Sequence, residues 1–328
     1  MRTTQRAIVE TVIAAGVALV AAAHPAHAQQ KFPTKPIRLV VGLAPGGTLD
    51  TLARITGQKM AESWGQTVVV ENRAGGSTVI SASVVAKAVP DGHTLLVILG
   101  SFPAAAATMP DLPYNPLKDF AGVTQFGYGT GVLVVAPALG VKSVKELIAL
   151  ARDKPGQILA GTIGAGSANH LGMERFRLEA GIKLGFVAFK GGPDTVIQVV
   201  GGRVHFTIQS LLSSSSFIRD GRVLALAVTL PQRAPQLPEV PTLAETLPEF
   251  KRMETSYGLL APAGTPRSTL NQISKEVARI LDLPDVRERL QAVGFYIESA
   301  TPEEFDRILR RQIESLSKVA RDAGLRVK

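Results

Sequence analysis

Short apolar runs alternate with segments of helical periodicity along most of this chain, and this alternation restricts its possible folds more than any other feature. The runs are rich in Val, Ile and Leu and carry almost no polar residues. Near-continuous apolar runs are typical of strands that are covered on both faces, as in a parallel sheet. The chain is therefore predicted to have an α/β fold. In its first part, strands are predicted at residues 37–42, 68–71 and 95–99, with helices at 49–64 and 81–89 between them.

A second alternating pattern follows residue 116 and predicts a second α/β lobe. Ser143 and Glu146 have the spacing of a capping box, and Thr301 with Glu304 repeats it at the start of the last helix. The five prolines between residues 231 and 248 indicate an extended connection. Further strands are predicted at 132–136, 158–162, 185–189, 204–209, 224–228 and 255–260, and further helices at 143–152, 169–180, 195–200, 268–281 and 284–293.

The N-terminus has the pattern of a Sec signal peptide. Arg2 and Arg6 precede an apolar run at residues 12–23, and a small-x-small motif ends at Ala28. The run is short for a membrane span, and the chain has no Arg-Arg pair of the twin-arginine type. We expect cleavage after Ala28, which leaves an exported protein of 300 residues and lowers the net charge from +9 to +8.

Composition excludes several classes of protein. Apolar residues make up 45% of the chain and charged residues 19%, which suits a large buried core and not a disordered chain. The absence of cysteine excludes disulfide scaffolds, thiolate metal sites and thiol catalysis. The few histidines lack metal-ligand spacing, and the basic residues are scattered. We therefore expect no metal, no cofactor and no nucleic-acid partner.

The first candidate binding loop lies between the first strand and the first helix, and contains Pro45, Gly46, Gly47, Thr48 and Asp50. Glycines let backbone N–H groups face a ligand, and the following helix adds a positive partial charge, so such a loop can hold an anion. The simpler interpretation is a tight turn. The spacing is neither G-x-G-x-x-G nor that of a P-loop, and an exported protein meets no NAD.

The second candidate loop has the same strand-to-helix position in the second lobe and contains Gly166, Ser167, Asn169 and His170. Ser167 and His170 could be a nucleophile and its base, but the motif G-x-S-x-G is absent and no acid is placed to orient the histidine. Ser167 is more simply an N-cap. His170 is either a ligand donor or a packing residue at the helix end.

Two further strand ends carry candidate residues. Lys190, Gly191 and Gly192 occupy another strand-to-helix turn, where the lysine either adds positive charge to a cleft or remains solvated. Gln209 lies at the carboxyl end of a strand, where open α/β sheets place groups that contact ligands.

The order of these motifs resembles that of the periplasmic solute-binding receptors of the tripartite tricarboxylate transporter system, called Bug receptors. The resemblance covers essentially the whole chain after the signal peptide. Its motifs are FPTKPIR at 32–38, PGG at 45–47 with Asp50, VVENRAGG at 69–76, PDGHTLL at 90–96, YNPLKDF at 114–120, GS at 166–167 with His170 and Leu171, KGG at 190–192, DGRVLALAVT at 220–229, PEVPT at 238–242 and APAGTP at 261–266.

The resemblance implies a Venus-flytrap fold, with a small carboxylate held between two lobes by backbone amides and waters at the loops around residues 45–47 and 166–167. It implies chain crossings near residues 127–132 and 256–260. The domains expected on this basis are a signal peptide at 1–28, a first lobe at 29–127 and 256–328, and a second lobe at 128–255.

Two departures from the family pattern indicate the type of ligand. Many members have an Asp where this chain has Gln209, and a polar stretch where it has Ser101 followed by FPAAAA. A ligand amine would find no partner at Gln209. The hypothesis is a carboxylate without an amine, with an apolar or aromatic body or a second carboxylate.

The expected function is that of a monomeric periplasmic receptor, not an enzyme, which closes around a carboxylate and delivers it to permease subunits. The alternatives are an exported hydrolase that uses Ser167 and His170, and a ligand receptor for a signalling kinase.

Overall fold

The computed structural model describes residues 32–250 and 256–325. The predicted signal peptide and its cleavage site at Ala28 lie outside the described residues, so they stay predictions. The strands of the described part are β1 (Ile37–Val41), β2 (Val68–Asn72), β3 (Thr94–Ile98), β4 (Phe120–Gly129), β5 (Gly131–Val135), β6 (Leu159–Thr162), β7 (Gly185–Ala188), β8 (Phe206–Ser210), β9 (Leu224–Val228), β10 (Ser256–Pro262) and β11 (Phe295–Ile297).

Helices connect most of these strands, as the alternating pattern predicts. They are α1 (Thr48–Trp64), α2 (Val79–Ala86), α3 (Ser101–Thr108), α4 (Val144–Asp153), α5 (Ala168–Ala180), α6 (Gly192–Val200), α7 (Leu211–Arg219), α8 (Arg267–Leu281), α9 (Pro284–Ala292) and α10 (Pro302–Asp322).

The strands form two separate sheets. The six-stranded sheet has the order β11-β4-β10-β3-β1-β2, in which β2, β1 and β3 are parallel and β10 runs antiparallel to β3 and β4. The five-stranded sheet has the order β7-β6-β8-β5-β9, with β7, β6 and β8 parallel. We call the first sheet with its helices the first lobe and the second sheet with its helices the second lobe. The α/β fold class predicted from the sequence is confirmed.

The second lobe shows why its strands are apolar throughout. Side chains alternate between the two faces of a strand, and in β5 Val132 and Val134 pack into one hydrophobic core while Leu133 and Val135 pack into another. Both faces of the sheet are therefore covered by helices, and no position along the strand favours a polar residue.

The first lobe packs its helices around an aromatic cluster. The rings of Phe102 and Tyr114 are stacked with centroids 5.9 Å apart, and Phe120 meets both edge-on at 5.2 and 5.5 Å. Phe305 of α10 lies in the same core. The cluster fixes α3, and hence the residue at its start, relative to the sheet.

The chain changes sheets at Thr130, the one residue between β4 and β5. Thr130 is buried, and both its N–H and its hydroxyl donate to the carbonyl of Gly294, at 2.9 and 2.7 Å. Its own carbonyl accepts from the N–H of Leu211 in the second lobe at 2.8 Å. Thr130 thus connects both lobes at the crossing. The predicted domain boundaries stay a prediction, since the return crossing includes undescribed residues.

The sequence pattern was incomplete in several places. It did not predict strands β4 and β11 or helices α3 and α7, and it placed α2 at residues 81–89, whereas the helix spans Val79–Ala86. Strand β4 contains Gly122, Gly127 and Gly129. These glycines interrupt the run of apolar residues by which a buried strand is recognised in the sequence. A Cβ at Gly127 would lie 2.0 Å from the carbonyl oxygen of Tyr296, so close pairing with β11 requires glycine there.

Candidate functional site

A cavity lies between the two lobes and is lined by residues of both. It encloses about 630 Å³ of space, its open mouth included. Its apolar wall consists of Leu43, Leu49, Leu99, Ile163, Ala168, Ile208 and Tyr257, and its polar lining of Thr48, Ser101, Thr130, Asn169, Gln209, Ser210 and Ser213, with Gly47, Gly129, Gly131 and Gly192 completing it. We call it the main cavity.

Five helices start at the main cavity. Helices α1 and α3 of the first lobe and α5, α6 and α7 of the second each follow a strand directly, so their N-termini lie at the carboxyl edges of the two sheets. The first-turn N–H groups of a helix have no intrahelical acceptor, and the helix dipole adds a positive partial charge there. No Asp, Glu, Lys, Arg or His lines this cavity in the described part of the chain. Its electrostatic character therefore comes from helix N-termini.

Two buried side chains in the main cavity have polar atoms without a hydrogen-bond partner. The Ser101 hydroxyl, on a residue only 1% exposed, is one. The other is Oδ1 of Asn169, whose Nδ2 donates to the carbonyl of Ile208. This bond fixes the orientation of the amide, so Oδ1 is the atom that remains to accept. Buried polar atoms are almost always paired in proteins, so these two indicate where a bound molecule or water makes contact.

The Asp50 carboxylate stabilises the first candidate loop through hydrogen bonds. Its carboxylate accepts from the Gly46 N–H at 3.1 Å, from Arg54 Nε at 2.9 Å and from Asn72 Nδ2 at 3.0 Å. Burial acts to raise the Asp50 pKa, but these hydrogen bonds together outweigh burial and hold it below its usual value. Because the Gly46 N–H is engaged by Asp50, it does not donate into the cavity.

His170 supports the second loop in the same way. Its Nδ1 accepts from the Gly166 N–H at 3.1 Å. Its Nε2 lies 3.8 Å from the Glu174 carboxylate, so the expectation that no acid lies beside this histidine was wrong. The Ser167 hydroxyl accepts from the backbone N–H of His170 at 3.1 Å and caps α5. Neither ring nitrogen is directed at Ser167, so the two side chains do not form a nucleophile and base in this structure.

Burial lowers the pKa of His170 below its ordinary value, an effect that Glu174 partly offsets. The neutral form is the one that the Gly166 N–H requires, because a protonated Nδ1 cannot accept a hydrogen bond.

The structure brings together six of the fourteen residues that the sequence singled out. Gly47, Thr48, Ser101, Asn169, Gly192 and Gln209 line the main cavity. Lys190 lines a different cavity. The remaining seven belong to the same loops but line neither cavity: Pro45, Gly46, Asp50, Gly166, Ser167, His170 and Gly191.

Several lining residues were missed from the sequence. Thr130 and Tyr257 reach the cavity from the crossings between the lobes, and no local pattern marks them. Ser213 follows the Ser210 N-cap by three residues, a spacing that would have placed it in the first turn of a helix.

Contacts across the cleft bring the lobes together. The Thr48 hydroxyl donates to the Ser210 hydroxyl at 3.0 Å, and the Thr108 hydroxyl contacts the Gly166 carbonyl at 3.3 Å. Tyr257 is fully buried, and burial raises its pKa to about 12 despite a hydrogen bond with Thr48. Hydrogen bonds thus join the two lobes within the described residues.

The described residues contain neither a cluster of metal-ligating side chains nor a membrane-spanning helix. No group of three or more His, Asp or Glu side chains there could hold a metal ion. Within the same residues, no helix is both long and apolar enough to cross a bilayer.

Together these features define a two-lobed α/β binding protein with a ligand cleft between its lobes, the architecture of periplasmic binding proteins. The chain belongs to the tripartite tricarboxylate transporter receptors, because the model of the "Tripartite tricarboxylate transporter family receptor" matches residues 52–325. The Bug-type resemblance stated from the sequence motifs is thereby confirmed.

Relatives and solved structures agree with this assignment. Protein BugT of Bordetella pertussis is 33% identical over 300 residues, covering 90% of this chain and 92% of BugT. The R. palustris protein Rpa4515, solved with adipate, is 32% identical with a TM-score of 0.86, over 90% of this chain and 99% of that one. MatC of Rhodopseudomonas palustris, solved with malate, is 30% identical with a TM-score of 0.81, over 88% and 99%.

Proposed function

We propose that this receptor binds a small carboxylate without an amine, closes around it, and delivers it to a permease of the tripartite tricarboxylate system. The observation that carries the proposal is the convergence of five helix N-termini on a cavity with no ionised side chain in its described lining. Such N-termini stabilise anions without a cationic side chain. The adipate and malate in two similar structures support a carboxylate as that anion.

The polar groups argue against a ligand amine. An ammonium buried in the main cavity would need a carboxylate, and the nearest substitute for one, Gln209, donates its own Nε2 to the Thr207 hydroxyl at 3.2 Å. The amide oxygen that remains is a weaker partner than a carboxylate. The same positive helix ends that favour an anion also oppose an ammonium.

The apolar wall suits the rest of the ligand. Leu49 lies in the first turn of α1, and Leu43 and Ile163 lie in the loops before α1 and α5. A molecule whose carboxylate meets the N–H groups therefore places its body against these side chains. The Ser101 hydroxyl can donate to the carboxylate, whereas Asn169 Oδ1 accepts from a ligand hydroxyl or from a bridging water.

Binding is coupled to closure because the ligand contacts both lobes at once. A ligand shifts an equilibrium between open and closed forms only by binding one more tightly. Only the closed form brings the N-termini of α1 and α3 close to those of α5, α6 and α7. A carboxylate that contacts all of them therefore binds the closed form more tightly. No covalent bond is formed or broken in this mechanism.

The proposal includes export, cleavage after Ala28 and action as a monomer in the periplasm. Mass spectrometry of the secreted protein checks the cleavage site, and light scattering with and without ligand checks the monomer.

Calorimetric titration tests the ligand class. Adipate, terephthalate and citrate are compared with aspartate and glutamate, and the expected result is tight binding of at least one amine-free acid and weaker binding of the amino acids. Tight binding of only the amino acids would overturn the proposal. Native mass spectrometry of protein purified without refolding identifies any acid that copurifies.

The variant Ser167→Ala separates a receptor from a hydrolase. Loss of the N-cap costs about 1 kcal/mol of stability, and the carboxylate still binds. Hydrolysis of an ester by the wild type that disappears in this variant would favour the hydrolase.

A further inference from the structure

The last helix of the first lobe, α10, also reaches the second lobe. In its first half, Phe305 and Leu309 lie in the first-lobe core, and the Gln312 amide donates to the Ser256 hydroxyl of β10 at 2.7 Å. Further along, α10 contacts α3 of its own lobe and α5 of the second lobe. The helix has 21 residues and is therefore about 30 Å long. This length lets it be anchored in one lobe and contact the other.

An apolar patch lies where α3, α5 and α10 meet. Leu316, Val319 and Ala320 of α10 are spaced by three or four residues, so they share one face of the helix. We call the patch the interlobe patch; it consists of the buried residues Ala104 of α3, Ala168 and Leu171 of α5 and Ala320 of α10, with Leu316, Val319 and Leu325 packed against them. Apolar side chains of both lobes thus pack together at this point.

The end of α10 has the conformation that completes the interlobe patch. Gly324 has a φ of +69°, which glycine adopts without strain, and its N–H donates to the Arg321 carbonyl at 3.1 Å. The Leu325 N–H donates to the Ala320 carbonyl at 2.8 Å. These two bonds form a Schellman motif, in which the residue after the glycine turns back and packs against the last turn of the helix. The motif thereby holds Leu325 in the patch.

The interlobe patch is continuous with the wall of the main cavity. Ala168 belongs to both, and Ala104 follows Ser101 of the main cavity by one turn of α3. Beside the patch, a Cβ at Gly166 would lie 2.5 Å from the Thr108 hydroxyl oxygen, so glycine is required for this close approach of α3 to the loop before α5. Separation of the two cavity walls therefore also separates the two halves of the patch.

We propose that the interlobe patch sets the affinity of this receptor through side chains of α10 that do not touch the ligand. Leu316 and Val319 lie outside the lining of the main cavity. Burial of the patch stabilises the closed form whether or not an anion is bound. Apparent affinity falls with the fraction of protein in the binding-competent form, so a less stable closed form raises the dissociation constant. This inference rests on the proposed function, because it assumes closure around a ligand.

Leu316→Ala tests the proposal by calorimetric titration with adipate, terephthalate and citrate. Loss of apolar contact between the lobes should raise the dissociation constant about tenfold for whichever acid the wild type binds. Val319→Ala, which removes fewer atoms, should raise it about threefold. This smaller change keeps the test decisive if Leu316→Ala does not fold, which circular dichroism checks.

Ile308→Ala is the matched control, because Ile308 is a partly buried side chain of the same helix that packs against the first-lobe core. This variant should be less stable to urea and keep the dissociation constant of the wild type. A dissociation constant that neither patch variant changes, or an equal rise in Ile308→Ala, would overturn the role of the patch and leave the proposed function standing. Failure of the wild type to bind any of the three acids would overturn both.

Discussion

At the scale of single residues, the main cavity contains polar groups that nothing in the described protein satisfies. A buried hydroxyl without a partner reduces stability, because it loses its bonds to water and gains none in return. The Ser101 hydroxyl is in this position, whereas the buried Thr265 hydroxyl donates to the Pro262 carbonyl at 2.7 Å. The two residues should therefore respond differently to removal of the hydroxyl.

Ser101→Ala is expected to weaken carboxylate binding about three- to tenfold, the worth of one hydrogen bond of roughly 1 kcal/mol. The stability of the unliganded protein should stay the same or rise. Thr265→Val, the control, should lose about 1 kcal/mol of stability and keep its affinity. Titration calorimetry and urea unfolding measure the two quantities, and a Ser101→Ala protein that is less stable yet binds normally would show that the hydroxyl is structural.

At the scale of elements, the loop before α5 depends on the protonation state of one histidine. Burial lowers the pKa of His170, and the charged groups that act on it are Glu174, which raises the pKa, and Arg177, which lowers it. The folded state thus favours neutral His170, while the unfolded chain takes up a proton near pH 6.5. Below that pH the unfolded state binds more protons, so stability falls as the pH falls through about 6.5.

His170→Asn should reduce this pH dependence. Asparagine keeps an oxygen that accepts from the Gly166 N–H, but it does not titrate. We expect the free energy of unfolding to fall less steeply between pH 7.5 and 5 in the variant than in the wild type, measured by urea unfolding at several pH values. All other titrating groups are common to both proteins, so superimposable pH profiles would contradict the role assigned to His170.

The sequence predicts an element well where residues that are neighbours in the chain determine its structure. The apolar run of β5 appears in the sheet as predicted, because both its faces are buried by helices. The loops at Gly47 and Asn169 were found because a strand, a glycine and a helix follow one another in sequence. Thr130 and Tyr257 were not found, because they reach the cavity only once the chain has crossed twice between the sheets. Likewise Asp50 is acidic and adjacent to the main cavity, but only its bonds to Gly46, Arg54 and Asn72 show that its carboxylate is engaged within the protein.

At the scale of the whole molecule, closure can be controlled from one contact. The Thr48 and Ser210 hydroxyls, one from each lobe, are 3.0 Å apart. The natural chain has no cysteine, so the pair Thr48→Cys/Ser210→Cys introduces the only thiols and can form only this disulfide within one molecule.

The expected result is that ligand reduces the radius of gyration of the wild type in small-angle X-ray scattering. The oxidised double variant should already be compact without ligand, and reduction should restore the change. In the wild type, ligand at a hundred times its dissociation constant should add about 2.7 kcal/mol of stability. A radius of gyration that does not respond to a bound ligand in the wild type would contradict hinge closure.

The five helices that start at the cleft have a consequence for when the lobes come together. All five present the same sign of partial charge, two from one lobe and three from the other. Closing the cleft around water or a neutral molecule therefore brings the positive helix N-termini of the two lobes towards each other, where they repel. An anion removes this repulsion by acting as a counter-ion shared between the lobes. A neutral amide or ester of the right shape is therefore expected to fill the same space without favouring the closed cleft, whereas an anion of that shape favours it.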